Sequence, residues 1–150
     1  MRLPAPLLLA FALIAVVGCG PRPPAVVPVE GRVLLDGRPL PHAEVQFLPE
    51  LRDFGAELNS TGVTDATGRF RLRCLYRSQD GAAVARHRVL VTEAAMPDAL
   101  RSPAGQGRYA QHLRGLANRP IPPVYGSVAA TPLRVDVTPA RTEYEIRLTR

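Results

Sequence analysis

Phe70, Leu72 and Cys74 alternate with Arg69, Arg71 and Arg73. No other stretch of the chain restricts the fold as tightly. A period of two puts the apolar side chains on one face and the guanidinium groups on the other, as a strand does and a helix cannot. A strand with one dry and one wet face belongs to an antiparallel sheet that is covered on one side. The turn that delivers it is Thr64-Asp65-Ala66-Thr67-Gly68. Asp65 can hydrogen-bond its own backbone two residues on, Gly68 can take the positive φ that closes the turn, and Phe70 enters the core.

The alternation recurs. Val29, Gly31, Val33 and Leu35 share a face, as do Ala43, Val45 and Phe47, then Leu133, Val135 and Val137, then Tyr144, Ile146 and Leu148. Strands are predicted over 26–35, 43–48, 61–65, 69–75, 87–93, 132–137 and 142–148. In 87–93 the β-branched Val89 and Val91 favour their own side, which His87 shares. Asp36-Gly37 is a hairpin signal, because a type I′ turn wants positive φ at both central positions. Short alternating strands separated by turn residues predict an all-β fold, a seven-stranded antiparallel Greek-key sandwich. The segment 94–125 is long and irregular, with Pro97, Pro103, Pro120, Pro122 and Pro123. Tyr109, Leu113 and Leu116 fall at helical spacing, enough for one or two turns. A connection of that length in a small domain is functional or disordered.

The N-terminal segment reads as an address. Arg2 supplies a positive charge, and residues 7–17 (LLLAFALIAVV) form an apolar run of signal-peptide length, too short to span a bilayer. Val16-Val17-Gly18-Cys19 resembles the bacterial lipobox. The resemblance implies diacylglycerol on the Cys19 sulfur, cleavage after Gly18 and an acylated new amino terminus. Several acyl chains anchor stably where one is marginal. Residues 1–18 are thus a lipoprotein signal peptide and 19–25 a lipidated Cys with a Pro-rich tether. The tether favours extended polyproline II. Residues 26–150 form the folded domain, held to the cell membrane or outer membrane on its periplasmic or surface face. Of the 2 cysteines, lipidation consumes one, which excludes a disulfide framework. Cys74, left alone beside Phe70 and Leu72, reads as a core residue.

All 19 basic residues are Arg, and the pI is near 10.3. They are spread over alternating strand positions without a nucleic-acid motif, so nucleic acid is not the expected partner. Arg101, Arg108, Arg114 and Arg119, with Tyr109, make the 94–125 loop the candidate binding surface. They either solvate it or favour an anionic partner, such as an acidic glycan, a lipid headgroup or an envelope protein.

The series Val29-Glu30-Gly31-Arg32-Val33, Asp36-Gly37-Arg38-Pro39-Leu40 and Ala43-Glu44-Val45-Gln46-Phe47-Leu48-Pro49 resembles the start of carboxypeptidase regulatory-like domains. Thr64-Asp65-Ala66-Thr67-Gly68-Arg69-Phe70 is similar to that family's Thr-Asp-x-x-Gly-x-Phe segment. Ile121-Pro122-Pro123-Val124-Tyr125 and Thr131-Pro132-Leu133 resemble the tail of its lipoprotein members. The resemblance implies a prealbumin-like (transthyretin-like) sandwich acting as an accessory or surface module. Asp36, Gly37, Asp65, Gly68 and Phe70 are then structural motif residues.

Enzyme chemistry finds little support. The neighbouring hydroxyisourate hydrolases carry a C-terminal Tyr-Arg-Gly-Ser, where this chain has Arg147-Leu148-Thr149-Arg150. Intradiol dioxygenases need two histidines one residue apart, whereas His42, His87 and His112 are dispersed. Zinc needs three or four converging ligands, and no Gly-x-Ser-x-Gly occurs. His87 and His112 read most simply as surface residues. No catalytic residue, metal or cofactor is expected. The expected function is that of a non-enzymatic, lipid-anchored envelope lipoprotein, structural or binding, with a small-ligand or glycan-binding carrier as the alternative.

Cys19→Ser removes the only thiol the lipobox offers. The variant protein should move from the membrane to the soluble fraction, as read by fractionation and immunoblot; unchanged membrane association would rule out the lipid anchor.

Overall fold

The alternating segments assemble into two packed sheets in the computed structural model, which describes residues 20–96, 98 and 101–150. The signal segment and Cys19 lie outside the described residues. The strands are β1 (Val26–Val27), β2 (Glu30–Leu35), β3 (Arg38–Pro39), β4 (Ala43–Pro49), β5 (Ser60–Val63), β6 (Arg69–Arg71), β7 (Arg73–Cys74), β8 (Ala82–Ala83), β9 (Arg86–Glu93), β10 (Arg134–Asp136) and β11 (Glu143–Leu148). One sheet runs β10-β9-β4-β5-β7. The other runs β11-β2-β3, with β6 also paired to β2, and β1 pairs with β8 apart from both. The inward faces meet in one core. Val33, Leu35, Val45, Phe47, Phe70, Val89, Val91, Ile146 and Leu148 are all buried in a single cluster. These are the apolar faces that the period of two selects.

The fold is all-β and mostly antiparallel, with three departures from the simple strand list. First, the segment 26–35 is not one strand. Pro28 has no N–H to give a ladder, so the chain breaks there between β1 and β2.

Second, 69–75 divides at Leu72. β6 pairs with β2, while β7 pairs with β5 in the opposite sheet. Leu72 is buried at the crossing, its N–H donating to Val29 O at 3.0 Å and its carbonyl accepting from Gly81 N at 2.7 Å. Both halves keep one register of inward side chains, so the alternation survives a change of sheet.

Third, β11 runs parallel to β2, from Glu143 opposite Glu30 to Leu148 opposite Leu35. Every other pairing between named strands is antiparallel. The connection from β2 to β11 spans most of the domain, and only a long connection can bring two strands together in parallel.

The arginines of β6 are matched by acids across the sheet. Arg69 meets Glu143 at 3.1 Å and Arg71 meets Glu30 at 3.1 Å. Exposed pairs of this kind contribute little stability. Their consequence is electrostatic: the wet face of this strand is neutralised, not a cationic surface.

The segment 94–125 holds one real helix, α1 (Pro103–Gly115). It is longer than the one or two turns its apolar spacing predicts. Ser102 caps it, Oγ accepting from Gly105 N at 3.1 Å, Pro103 occupies the first turn, and His112 and Arg114 sit in the last turn. The cap, the N-terminal proline and the cationic Arg114 near the C-terminus each favour a helix, and here they outweigh Gly105 and Gly107 inside it. Among the described residues no helix is long and apolar enough to cross a membrane.

Gly31 marks a close approach of β2 to its neighbours β11 and β6. A Cβ there would sit 2.0 Å from Tyr144 O and 2.9 Å from the Phe70 ring. Gly31→Ala should cost about 3 kcal/mol of stability through overpacking, measured as a lower urea midpoint; an unchanged midpoint would contradict this packing.

Candidate functional site

The chain leaves β3 and enters β4 through Leu40, Pro41 and His42. His42 adopts φ 52°, in the left-handed region, a conformation that His tolerates better than most side chains. Its backbone is held on both sides: N–H donates to Thr64 O at 3.1 Å, and its carbonyl accepts from Ala94 N at 3.2 Å. The Arg119 guanidinium adds a bond to Pro41 O at 2.6 Å while pairing with Glu93 at 2.7 Å.

α1 lies over this corner. Tyr109 and His112 are three residues apart and Leu113 follows, so all three fall on one side of the helix. Tyr109 donates its hydroxyl proton to Ala94 O at the end of β9. Between helix and sheet lies a pocket of about 490 Å³, lined by His42, Val63, Ala94, Tyr109, His112 and Leu113. The His42 and His112 rings are 5.3 Å apart, centre to centre, at 79°. Tyr109 stacks beside His112 at 6.3 Å and 28°. Val63, on the outer face of β5, is 53% exposed and gives the pocket an open apolar wall. A second recess of about 640 Å³ is lined by Glu30, Arg71, Asp80 and Thr142. It is larger, but its Arg71 and Glu30 are already paired. The smaller pocket is therefore the better candidate: concave, largely apolar, with a few polar groups converging.

The loop residues singled out in the sequence separate. Tyr109 enters the pocket wall. Arg101 pairs with Asp98 at 3.0 Å, and Arg114 donates to Ala110 O of its own helix at 3.2 Å. Arg108 is exposed on α1. The Arg119 side chain is only 13% exposed and is committed to Glu93 and the Pro41 carbonyl, so it builds the corner under the pocket and does not face solvent. No arginine lines the pocket.

The motif residues form turns. Asp36 and Gly37 have φ 52° and 76°, and Gly68 has φ 77°. Asp65 Oδ1 accepts from Thr67 N at 2.8 Å, Thr67 Oγ1 at 2.7 Å and Arg69 N at 3.0 Å. The Thr67 hydroxyl above all, then the Arg69 and Thr67 N–H groups, hold its carboxyl below the ordinary aspartate range. Asp36 also takes a second role: its carboxylate pairs with the Arg150 guanidinium and accepts Arg150 N at 3.1 Å. Phe70 is buried against Phe47, ring centres 6.3 Å apart. Cys74 is buried and unbridged, Sγ 3.7 Å from Leu58 O.

His87 corrects the surface reading. It is fully buried, its ring 5.6 Å from Phe47. Nε2 lies 2.7 Å from Ala83 O, which requires the proton on Nε2 and leaves Nδ1 bare and buried. The signal was present in the sequence, since His87 shares the face of Val89 and Val91. Among the described residues no three His, Cys, Asp or Glu side chains gather as a closed metal site requires. What the sequence could not show is the meeting of His42 and His112, which lie on separate elements.

No protein-family model, curated protein or solved structure matches this chain. The fold alone defines its class: an all-β protein of two packed sheets, with one helix forming a pocket at their corner.

Burial lowers the His87 pKa from 6.5, opposed by the bond to Ala83 O. A depressed imidazole pKa means that the unfolded chain binds the proton first. Its contribution to stability is complete above about pH 6.5 and is lost as pH falls below that toward the folded value. The thermal midpoint should drop between about pH 7 and pH 5.5, and His87→Phe should flatten that slope; equal slopes in both proteins would contradict it.

Proposed function

We propose that this chain is a non-enzymatic, lipid-anchored lipoprotein of the cell envelope, a prealbumin-like Greek-key module that serves a structural or binding role. The domain follows a lipobox and a proline tether, which hold it at a membrane face and leave its loops free to recognise a partner. The observation that carries a binding role is the corner pocket. It is built from a helix that covers little of the core and from an apolar strand residue, Val63, left largely open.

The same pocket favours the carrier reading over recognition of an acidic glycan. A glycan presents hydroxyls and carboxylates that seek charged or amide partners, and the pocket wall offers neither arginine nor amide side chains. It offers Val63, Leu113 and Ala94 for apolar contact and the Tyr109, His42 and His112 rings for stacking and a few hydrogen bonds. A small aromatic or aliphatic molecule fits that chemistry.

The test uses full-length protein in lipid nanodiscs and fluoroindole as probe, followed by ¹⁹F NMR against empty nanodiscs. Saturable broadening is expected, abolished by Leu113→Asp on the pocket wall. Binding that survives Leu113→Asp, or none above the empty-disc control, would remove the carrier reading.

A further inference from the structure

We infer that the end of the sandwich where the tether arrives is a membrane-contacting face, and that its turn Leu75-Tyr76-Arg77 enters the headgroup layer of an anionic bilayer. The inference rests on the lipid-anchor reading and adds to it which surface meets the lipid.

Strand register places that face. Ala25 O, at the end of the tether, accepts Val84 N at 2.8 Å. β9 begins just beyond, at Arg86, and β4 ends there with Pro49 opposite His87. The loop after β4 and the turn after β7 leave from the same end, where Leu75 N donates to Asn59 O at 2.9 Å. The corner pocket lies past the far end of β9, a strand of 8 residues, or roughly 25 Å away. The tether from Gly20 to Ala25 reaches only about 20 Å even when fully extended as polyproline II. The near end of the domain therefore stays within reach of the headgroups, and the pocket opens away from them.

The chemistry of the near end fits an interfacial contact. Leu75 is 59% exposed. Behind it sits the small cluster of Leu58, Cys74 and Ala83, with Phe54 and Tyr76 partly open at its rim. Arg77 and Ser78 take φ 54° and 51°, left-handed backbone at two successive non-glycine residues, which is uncommon. The Arg77 guanidinium lies over the Tyr76 ring, 5.1 Å from its centre. Among the described residues it pairs with no carboxylate. An aliphatic side chain, an aromatic ring and an unpaired arginine on one turn suit the boundary of headgroups and acyl chains. The apolar groups enter it and the cation meets phosphate. Asp53, Glu57, Asp80 and Asp136 share this end and are exposed. The attraction is thus local to the turn, and the acyl chains supply the anchoring.

The chain contains no Trp, so Leu75→Trp introduces a single fluorescent reporter at a site already open to solvent. Full-length protein carrying its lipid is reconstituted in vesicles of phosphatidylglycerol and phosphatidylcholine, with acyl chains brominated near the headgroup. The protein should float with the vesicles, and the Leu75→Trp emission should be blue-shifted and quenched by the brominated lipid. Val124→Trp, beside Tyr125 at the pocket end, should remain unquenched. Arg77→Asn keeps a residue that accepts left-handed backbone but removes the charge, and in the Leu75→Trp protein it should weaken the quenching. Floating protein with no quenching at Leu75→Trp, or with equal quenching at both positions, would overturn the face and leave the anchor standing. Quenching that Arg77→Asn leaves unchanged would overturn the choice of an anionic surface. Protein that does not float would overturn the anchor, and this face with it.

Discussion

Thr64 is the residue on which the two-sheet arrangement turns. Its hydroxyl donates to Leu40 O at 2.7 Å and accepts from Ala43 N at 2.8 Å. Its N–H donates to Ala43 O at 2.9 Å and its carbonyl accepts from His42 N at 3.1 Å. One buried side chain thus satisfies the backbone of the crossover from β3 to β4, where no strand partner is present. Left unpaired in the interior, each of those groups would cost about 1–3 kcal/mol. Four residues later the same turn grips the other sheet: Gly68 O accepts Val33 N at 2.8 Å. A Cβ at Gly68 would stand 2.8 Å from Val33 O and 3.0 Å from Leu40 N. The Thr-Asp-x-x-Gly-x-Phe segment therefore combines three physical jobs. Thr64 fastens a crossover, Asp65 and Gly68 reverse the chain against β2, and Phe70 fills the space between the sheets.

The segment after α1 works as a strap. Asn118 Nδ2 donates to Leu35 O at 2.9 Å and Arg38 O at 3.0 Å, and its Oδ1 accepts from Arg150 at 3.0 Å. Tyr125 closes on Thr149, donating to its carbonyl at 3.0 Å and accepting its N–H at 2.9 Å. Thr131 Oγ1 donates to Val89 O at 2.8 Å. These bonds reach residues of β2, β9 and the chain beyond β11. A connection that looks irregular in sequence is therefore pinned at several points. Its prolines cost little here, because the backbone needs few ladder N–H groups and takes its partners from side chains.

This division explains what the sequence disclosed. The inward faces of β2, β4, β9 and β11 were legible because burial on a sheet imposes a period of two that any observer can count. Even His87 followed it; treating the imidazole as polar, instead of reading its register with Val89 and Val91, placed it on the surface. The passage of the chain from one sheet to the other at Leu72 left no trace, because both sheets bury the same parity of residue. The parallel pairing of β11 with β2 was equally silent, since strand direction has no local signature. α1 was under-read because its signals are the Ser102 cap and Pro103 at its start, not a continuous apolar stripe. The pocket was invisible for a different reason: His42 lies at a crossover and His112 on the helix, and only the fold makes them neighbours.

The architecture also assigns different rigidities to the two sides of the pocket. The His42 side belongs to the Thr64 crossover, where buried hydrogen bonds and the Arg119–Glu93 pair leave the backbone little freedom. The His112 side belongs to a helix whose only buried residue is Gly105. An element with so little apolar burial sits at the low end of local stability, where opening is easiest. Between its cap at Ser102 and the strap that begins near Asn118, α1 is held to the sheets chiefly by Tyr109. A ligand that touches both sides would therefore restrict the helix far more than the crossover. Recognition at this corner is governed by the cost of ordering α1, because the opposing wall is already in place.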